Sequence, residues 1–559
     1  MITLFFYTIL VVFIYSPIGL LICNHSFKKE KSFLNYSYYL IFSGIVVSLI
    51  ALILNFFTSL NLTINSILIF LSLILIYKKR ELFFKKDYIL FCITCSLIVS
   101  LLIVFSDTYR PDSGLYHWPF VSILNNEKII FGLSNLHFRF GHISLIQYYS
   151  AILNNHLFAF NGMIFPASLI YVGVLINFLC HIKKYIENNI KNSHLIFLIS
   201  VSIYIVAKMN RYSEFGNDTP SHLLFLFLIS ELLLSIKKPK ITDFSRLFLI
   251  SVYVILQKLT LLFSILIPFV LINKKNYSKM IFSKSNILTL VLLFSWIIKN
   301  IIISGCLIYP AQKTCINNLI WTDVNKTAQV SYENEAWAKG WYDKKYGANR
   351  LSHKDYIKDY SWIGYWTNST GKEIIKIILV YFVVLTIFFS FLVSHKKIIT
   401  KKKLDNKILI LAIILFLGTF FWFLNFPVYR YGTSYIISLI SLVFVIYLNN
   451  FNFEKIKKKV IIILILCFSV FISKNTSRIL NAEKSYFNKP WPKYYSHGNK
   501  NIYLEPHKKN INGKIIYYSK NPCMYGKAPC TNVKYDFNYL KIKSYDFFIR
   551  SSLNKSIKD

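Results

Sequence analysis

The chain has 559 residues, of which 55% are hydrophobic, 17% aromatic and only 16% charged. A soluble globular protein carries about a quarter charged residues, and here the apolar residues fall in blocks nearly free of charge, which excludes a soluble enzyme, a disordered chain and a coiled coil and leaves a polytopic membrane protein. The net charge of +39 would ordinarily suggest nucleic acid, but its distribution along the chain is that of membrane topology, so no nucleic-acid partner is expected.

Windows of about 20 apolar residues predict fourteen spans. They lie near 2–22, 35–57, 64–77, 88–106, 160–182, 194–208, 221–236, 244–257, 259–273, 286–302, 373–394, 408–424, 434–449 and 460–473. The connections alternate between two kinds. One kind is short and lysine-rich: Lys28-Lys29-Glu30-Lys31, Lys78 to Lys86, Lys183-Lys184, Lys237-Lys238, Lys274-Lys275, Lys396 to Lys407 and Lys455 to Lys459. The other comprises 58–63, 107–159, 209–220, the turn at 258, 303–372, 425–433 and the tail 474–559. The positive-inside rule places the first kind in the cytoplasm and the second outside. Both termini then lie outside, and the first span, lacking a basic n-region, reads as an anchored helix rather than a cleaved signal.

The predicted fold is thus an all-α polytopic membrane protein of about fourteen helices, with extracytoplasmic loops and a small extracytoplasmic C-terminal domain. Its parts are N-terminal helices (1–87), a membrane module (88–302) containing the outer loop 107–159, an aromatic outer loop (303–372), C-terminal helices (373–473) and the tail (474–559). Cysteine agrees with this sidedness. Cys92, Cys95, Cys180 and Cys467 fall inside spans and Cys23 at an inner end, whereas Cys306 with Cys315, and Cys523 with Cys530, form local pairs in outer segments. Two disulfides in an oxidising compartment are expected.

The outer loops hold the residues with chemistry. After the fourth span the chain reads Ser106-Asp107-Thr108-Tyr109-Arg110-Pro111-Asp112-Ser113-Gly114-Leu115-Tyr116-His117-Trp118, and later Gly132-Leu133-Ser134-Asn135-Leu136-His137-Phe138-Arg139-Phe140-Gly141-His142. Pro111 and Gly114 bracket Asp112, which should open a helix from Leu115 to about Asn125 and serve at least as its cap. Apolar residues at Leu115, Trp118, Val121 and Leu124 would lay that helix along the membrane surface. The next outer turn ends in Asn217-Asp218-Thr219-Pro220, where Asp218 again suits a helix cap. Lys258 stands alone between two apolar stretches at an outer turn, a place for a phosphate contact or a snorkelling lysine. Phe426-Pro427-Val428-Tyr429-Arg430-Tyr431-Gly432 puts one arginine at the outer end of spans twelve and thirteen. The 303–372 segment carries Trp321, Trp337, Trp341, Tyr342, Trp362 and Trp366, suited to a sugar-stacking lid or to interfacial anchoring. No P-loop, metal-ligand spacing or Gly-x-Ser-x-Gly occurs.

These elements together resemble the GT-C glycosyltransferases, membrane enzymes that take sugars from polyprenyl-phosphate carriers. Asp112-Ser113-Gly114-Leu115-Tyr116-His117 resembles the acidic opening of their first large outer loop, and Asp218-Thr219-Pro220 their second acidic loop. Lys258 and Arg430-Tyr431 are similar to the later cations, in the same order and on the same side. More closely, the chain resembles a bacterial branch of multi-pass proteins sharing Asp-x-Gly-Leu-Tyr-His, Gly-Leu-x-Asn-x-His-x-Arg-x-Gly and a Gly-x-x-x-x-Pro loop, here Gly305 to Pro310. It covers roughly residues 88 to 440.

The resemblance implies a GT-C-like fold in a multi-pass plasma (bacterial inner) membrane, with the active site on the periplasmic, extracytoplasmic side. The partners implied are membrane lipids, a polyprenyl-phosphate-sugar donor and a glycan or lipid acceptor. Asp112 would be the general base of an inverting transfer. Lys258 and Arg430 would hold the phosphate, His137 and Arg139 would bind donor phosphate or sugar hydroxyls, and His117 and Tyr431 would complete the substrate site. Asp218 would orient the acceptor, hold a cation or cap its helix. A divalent cation (Mg or Mn) would use Asp112 and Asp218, although Asp112 lacks the second acid that follows it in several members. The alternatives are a transporter or flippase, and a polymerase of lipid-linked glycans. Glu231 is the most obvious acid within a span, and it lies towards the cytoplasmic end.

Overall fold

The computed structural model describes residues 2–23, 32–103, 112–142, 144–188, 190, 192–209, 216–273, 276–342, 350–392, 405–448, 456–481, 496–497, 500–501, 505–533 and 537–550. Among the segments singled out in the sequence, Lys28 to Lys31, Ser106 to Pro111, Arg211 to Phe215, Lys274-Lys275, Lys396 to Lys403 and Lys455 lie outside the described residues.

The protein is mostly helical. Among the described residues ten helices are long and apolar enough to cross a membrane, judged on length and composition: Ile2–Cys23, Phe33–Phe57, Lys86–Ile103, Ala159–Glu187, Asp218–Ser235, Lys284–Ser304, Trp362–Leu392, Asn406–Asn425, Tyr429–Leu448 and Lys457–Leu480. The other four predicted spans are shorter. Leu62–Lys78, Ser193–Lys208 and Ile241–Gln257 have 17, 16 and 17 residues, about 25 Å of helix at 1.5 Å per residue against a hydrocarbon core of about 30 Å. The predicted span 259–273 is two consecutive 3₁₀ segments, Leu259–Leu266 and Pro268–Leu271, divided where Pro268 cannot supply a backbone N–H.

Ala159–Glu187 and Asp218–Ser235 are largely buried at the centre, whereas Trp362–Leu392 and Lys457–Leu480 expose most of their apolar side chains. Asp218–Ser235 has no exposed polar face, and its His222, Ser230 and Glu231 are buried with the apolar side chains, as in a helix surrounded by other helices. Two predicted boundaries move furthest. The seventh long helix begins at Trp362, inside the predicted 303–372 loop, and the last runs to Leu480, past the predicted limit at 473.

The all-α expectation fails at the C-terminus, where a small β region forms. His507–Ile511 pairs antiparallel with Lys514–Tyr518, which pairs parallel with Cys530–Thr531. Phe537–Ile542 and Tyr545–Arg550 form a hairpin. Cys306–Cys315 and Cys523–Cys530 are both bonded, with S–S distances of 2.04 and 2.01 Å, and the other five cysteines are free.

The β region packs on the 112–142 segment. Ser122 Oγ donates to the Gly526 carbonyl at 2.6 Å, Asn135 Nδ2 to the Phe548 carbonyl at 2.9 Å, and Thr531 Oγ1 to the Leu136 carbonyl at 3.1 Å. This overturns the predicted surface helix. The helix Trp118–Asn126 is buried through Asn125, because the polar side intended for water is covered by chain some 400 residues later.

Candidate active site

Asp112 precedes the turn Ser113–His117, yet its side chain makes no capping hydrogen bond. Its carboxylate accepts from Arg139 Nη1 at 3.2 Å and from Arg430 Nη1 at 2.9 Å. Asp218 opens the helix Asp218–Ser235, where its charge suits the positive end of the dipole. Asn217 occupies the cap position, and Asp218 makes an ion pair with Lys258 while standing 3.9 Å from Arg430. Neither acid therefore spends its carboxylate on capping.

Local structure presents each cation. Arg139 lies in the 3₁₀ turn Phe138–Gly141, which His137 caps by accepting the Arg139 N–H at its Nδ1, 3.1 Å away. The Arg139 guanidinium stands 5.1 Å from the Tyr116 ring centre, within cation–π range. Lys258 is buried at the break between Ile241–Gln257 and Leu259–Leu266, with its ammonium 4.4 Å from the Tyr431 ring centre. Arg430, in the first turn of Tyr429–Leu448, stands between the two acids. The result is a row of alternating charge, Arg139, Asp112, Arg430, Asp218, Lys258, with three cations against two carboxylates.

The surroundings tune these groups. Burial acts to raise the Asp112 carboxyl, but Arg430 and then Arg139 outweigh it and hold it below the ordinary carboxylate range. Burial pushes the Lys258 ammonium down to about 8, against the opposing pull of Asp218. Burial also takes His117 down to about 4, so the imidazole is neutral at pH 7 and is held by Gln147 Nε2, 2.9 Å from its Nδ1.

Asp112, His117, Arg139, Asp218, Lys258, Arg430 and Tyr431 line one cavity of about 430 Å³. His137, expected to touch substrate, does not line it. It sits behind Arg139 and shapes the turn that presents it. Several other residues line the cavity. Tyr116 lies beneath Arg139, and His142 meets Asn334 through Nε2 and Nδ2 at 3.0 Å. Tyr309 packs so closely on Gly141 that a Cβ there would lie 2.4 Å from its ring. The Gly-x-x-x-x-Pro pattern marked the Tyr309 loop, which the Cys306–Cys315 bond closes. No local signal marked Asn334.

The β region reaches this site through Gly114, whose carbonyl accepts from the Met524 N–H at 2.9 Å. A Cβ at Gly114 would lie 2.1 Å from Met524 Sδ and 3.3 Å from Pro522 Cβ. Gly114→Val is therefore expected to cost about 1–3 kcal/mol by overpacking, measured as a lower melting temperature in detergent. Adding Met524→Ala should restore part of the loss, since the two positions are in contact. Independent, additive losses would show that this contact is not the cause.

Fold and site together define a multi-pass helical membrane protein with a row of alternating charges in a single cavity. The chain belongs to the family described as Domain of unknown function (DUF8201), whose model matches residues 1–437. That stretch includes every charged residue of the row and ends before the β region. No curated protein and no solved structure matches the chain.

Proposed function

We propose that the protein is a membrane glycosyltransferase of GT-C type, moving a sugar from a polyprenyl-phosphate-linked donor to an extracytoplasmic glycan or lipid acceptor. The observation that carries this reading is the charge row. Among the described residues, three cations against two carboxylates leave one positive charge in the row, and the phosphodiester of a polyprenyl-phosphate sugar brings one negative charge. Leu259, Leu262 and Phe421 form an apolar part of the lining, and Leu262 is 44% exposed. They suit a lipid chain that leaves sideways while its phosphate stays at the row. By the positive-inside rule the row faces away from the cytoplasm.

In this reading the donor phosphate competes for Arg430, Arg139 and Lys258. As they turn to it, their hold on Asp112 weakens and the carboxylate regains basicity. Asp112 then takes the proton of the acceptor hydroxyl as that oxygen attacks the anomeric carbon. The bond from that carbon to the phosphate oxygen breaks, and the bonding pair leaves with the polyprenyl phosphate. The three cations stabilise the charge gained there, and back-side attack inverts the centre.

A divalent ion on Asp112 and Asp218 does not fit this arrangement, because Arg139, Arg430 and Lys258 already crowd both carboxylates. Glu231, the acid a transporter reading would rest on, is not part of this row. Glu231 is buried away from the cavity, with Arg246 Nε at 3.0 Å and the Tyr38 hydroxyl at 2.5 Å.

Lys258 supplies a pH test. Its charge is present below about 8 and is lost above it, so donor affinity should fall as pH rises through that value. Lys258→Arg should hold affinity to higher pH, because a guanidinium does not titrate there. Equal pH profiles for the two proteins would remove Lys258 from the phosphate site. The function itself is tested by comparing surface glycans and lipid-linked intermediates between a deletion strain and its parent. Loss of a glycan with accumulation of its lipid-linked donor is expected. Unaltered glycans would refute the proposal.

A further inference from the structure

The hairpin Phe537–Ile542 and Tyr545–Arg550 has one face that the charged cavity does not explain. Its register sets Leu540 opposite Phe547 and Ile542 opposite Tyr545, and residues paired across an antiparallel ladder point to the same side. From Leu540 to the turn that side is apolar apart from the Tyr545 hydroxyl. Towards the base it is covered, since Phe547 stacks on Phe131 at 4.2 Å. Towards the tip it is open, with Leu540 38% and Ile542 41% exposed.

The position of the tip identifies what covers it. The Tyr545 hydroxyl donates to the Phe56 carbonyl at 3.0 Å, and Phe56 is the penultimate residue of the membrane helix Phe33–Phe57. The neighbouring Phe57 is 71% exposed. The hairpin tip is thus fastened at the level where a membrane helix leaves the hydrocarbon. Its composition suits that level. Lys541 and Lys543 are exposed around the turn, and Lys128 Nζ stands 3.9 Å from the Tyr545 ring centre. Tyrosine beside lysine and exposed aliphatic side chains is the chemistry of a membrane interface.

We propose that this tip is an interfacial anchor. Leu540 and Ile542 enter the headgroup boundary of the bilayer beside Phe57, and Lys541 and Lys543 meet anionic lipid phosphates. The β region that clasps the Asp112 segment would then be held at both ends, by the loop at Met524 and by the lipid surface. This inference stands on the hairpin's geometry and does not depend on the glycosyltransferase reading.

The test uses the full-length protein in proteoliposomes of phosphatidylcholine, with and without phosphatidylglycerol. An environment-sensitive fluorophore is placed at Ile542→Cys and, as a water-exposed control, at Lys508→Cys on the strand His507–Ile511, with the parent protein labelled in parallel to subtract the native thiols. The label at 542 should be quenched by brominated lipid several-fold more than the label at 508, and should resist aqueous iodide. Omitting phosphatidylglycerol, or adding Lys541→Glu and Lys543→Glu, should weaken the lipid quenching. If iodide reaches 542 as easily as 508, the tip is in water and the proposal fails. If neither quencher reaches 542, protein covers the tip (a second copy or a soluble partner), and the proposal fails equally. Lipid quenching that ignores both charge changes would overturn the anionic-lipid contact.

Discussion

Asparagine in place of Asp112 should lower sugar transfer by roughly two to four orders of magnitude, the range a positioned general base supplies. The substitution keeps the shape of the side chain and one oxygen acceptor for Arg139 or Arg430, so expression and folding should be unchanged. Its effect on the donor should run opposite to its effect on turnover. Removing one of two carboxylates leaves three cations against one acid, which favours a bound phosphate. The expected signature is therefore a collapse of kcat with donor affinity equal to or better than the parent's. Single-turnover transfer and donor binding, measured on the same preparation, separate the two. Near-normal turnover would remove the base role. Lost donor affinity would mean that Asp112 serves chiefly to shape the row.

The second large effect is expected at Arg430, which among the described residues is the cation within reach of both acids, 2.9 Å from Asp112 and 3.9 Å from Asp218. Arg430→Ala removes charge-assisted hydrogen bonds worth about 1.5–3 kcal/mol each, so donor affinity should fall about tenfold to a hundredfold. It should also move the acid limb of the activity profile. Arg430 is the strongest of the groups that lower Asp112. Without it the carboxyl titrates at higher pH, stays protonated further up the scale, and loses activity at a pH where the parent is still active. A limb that shifts to lower pH or does not move would contradict the coupling. Arg430→Lys keeps the charge but not the planar fork that spans two carboxylates, and should fall between.

Much of this site was legible along the chain because its parts are local. Asp112 and Asp218 each stand in a predicted outer loop just before a helix, Lys258 and Arg430 each break a run of uncharged residues at a predicted outer turn, and their order resembles a known arrangement. Their partners were not legible. Asp112 and Asp218 both stand where a helix cap is the simplest expectation, and only the folded chain shows their carboxylates turned to Arg139, Arg430 and Lys258. His137 and Arg139 look equivalent in sequence, two residues apart, yet one caps the turn and the other enters the cavity. The helix Trp118–Asn126 has the pattern of a surface helix and is nonetheless buried.

Membrane class, the approximate position of the long helices and the pairing of the outer cysteines follow from composition and spacing. Each depends on forces that act within a short stretch of chain: transfer of a helix-length apolar run into lipid, the cost of moving lysine across it, and closure of a small loop. The tertiary structure alone decided which charges neutralise one another, what buries the Asp112 segment, and where the C-terminal β region rests. Those outcomes depend on groups as far apart as Asp112 and Arg430, 318 residues along the chain. A Coulombic or hydrogen-bonded pair is set by distance in space, and no local pattern in the sequence encodes it.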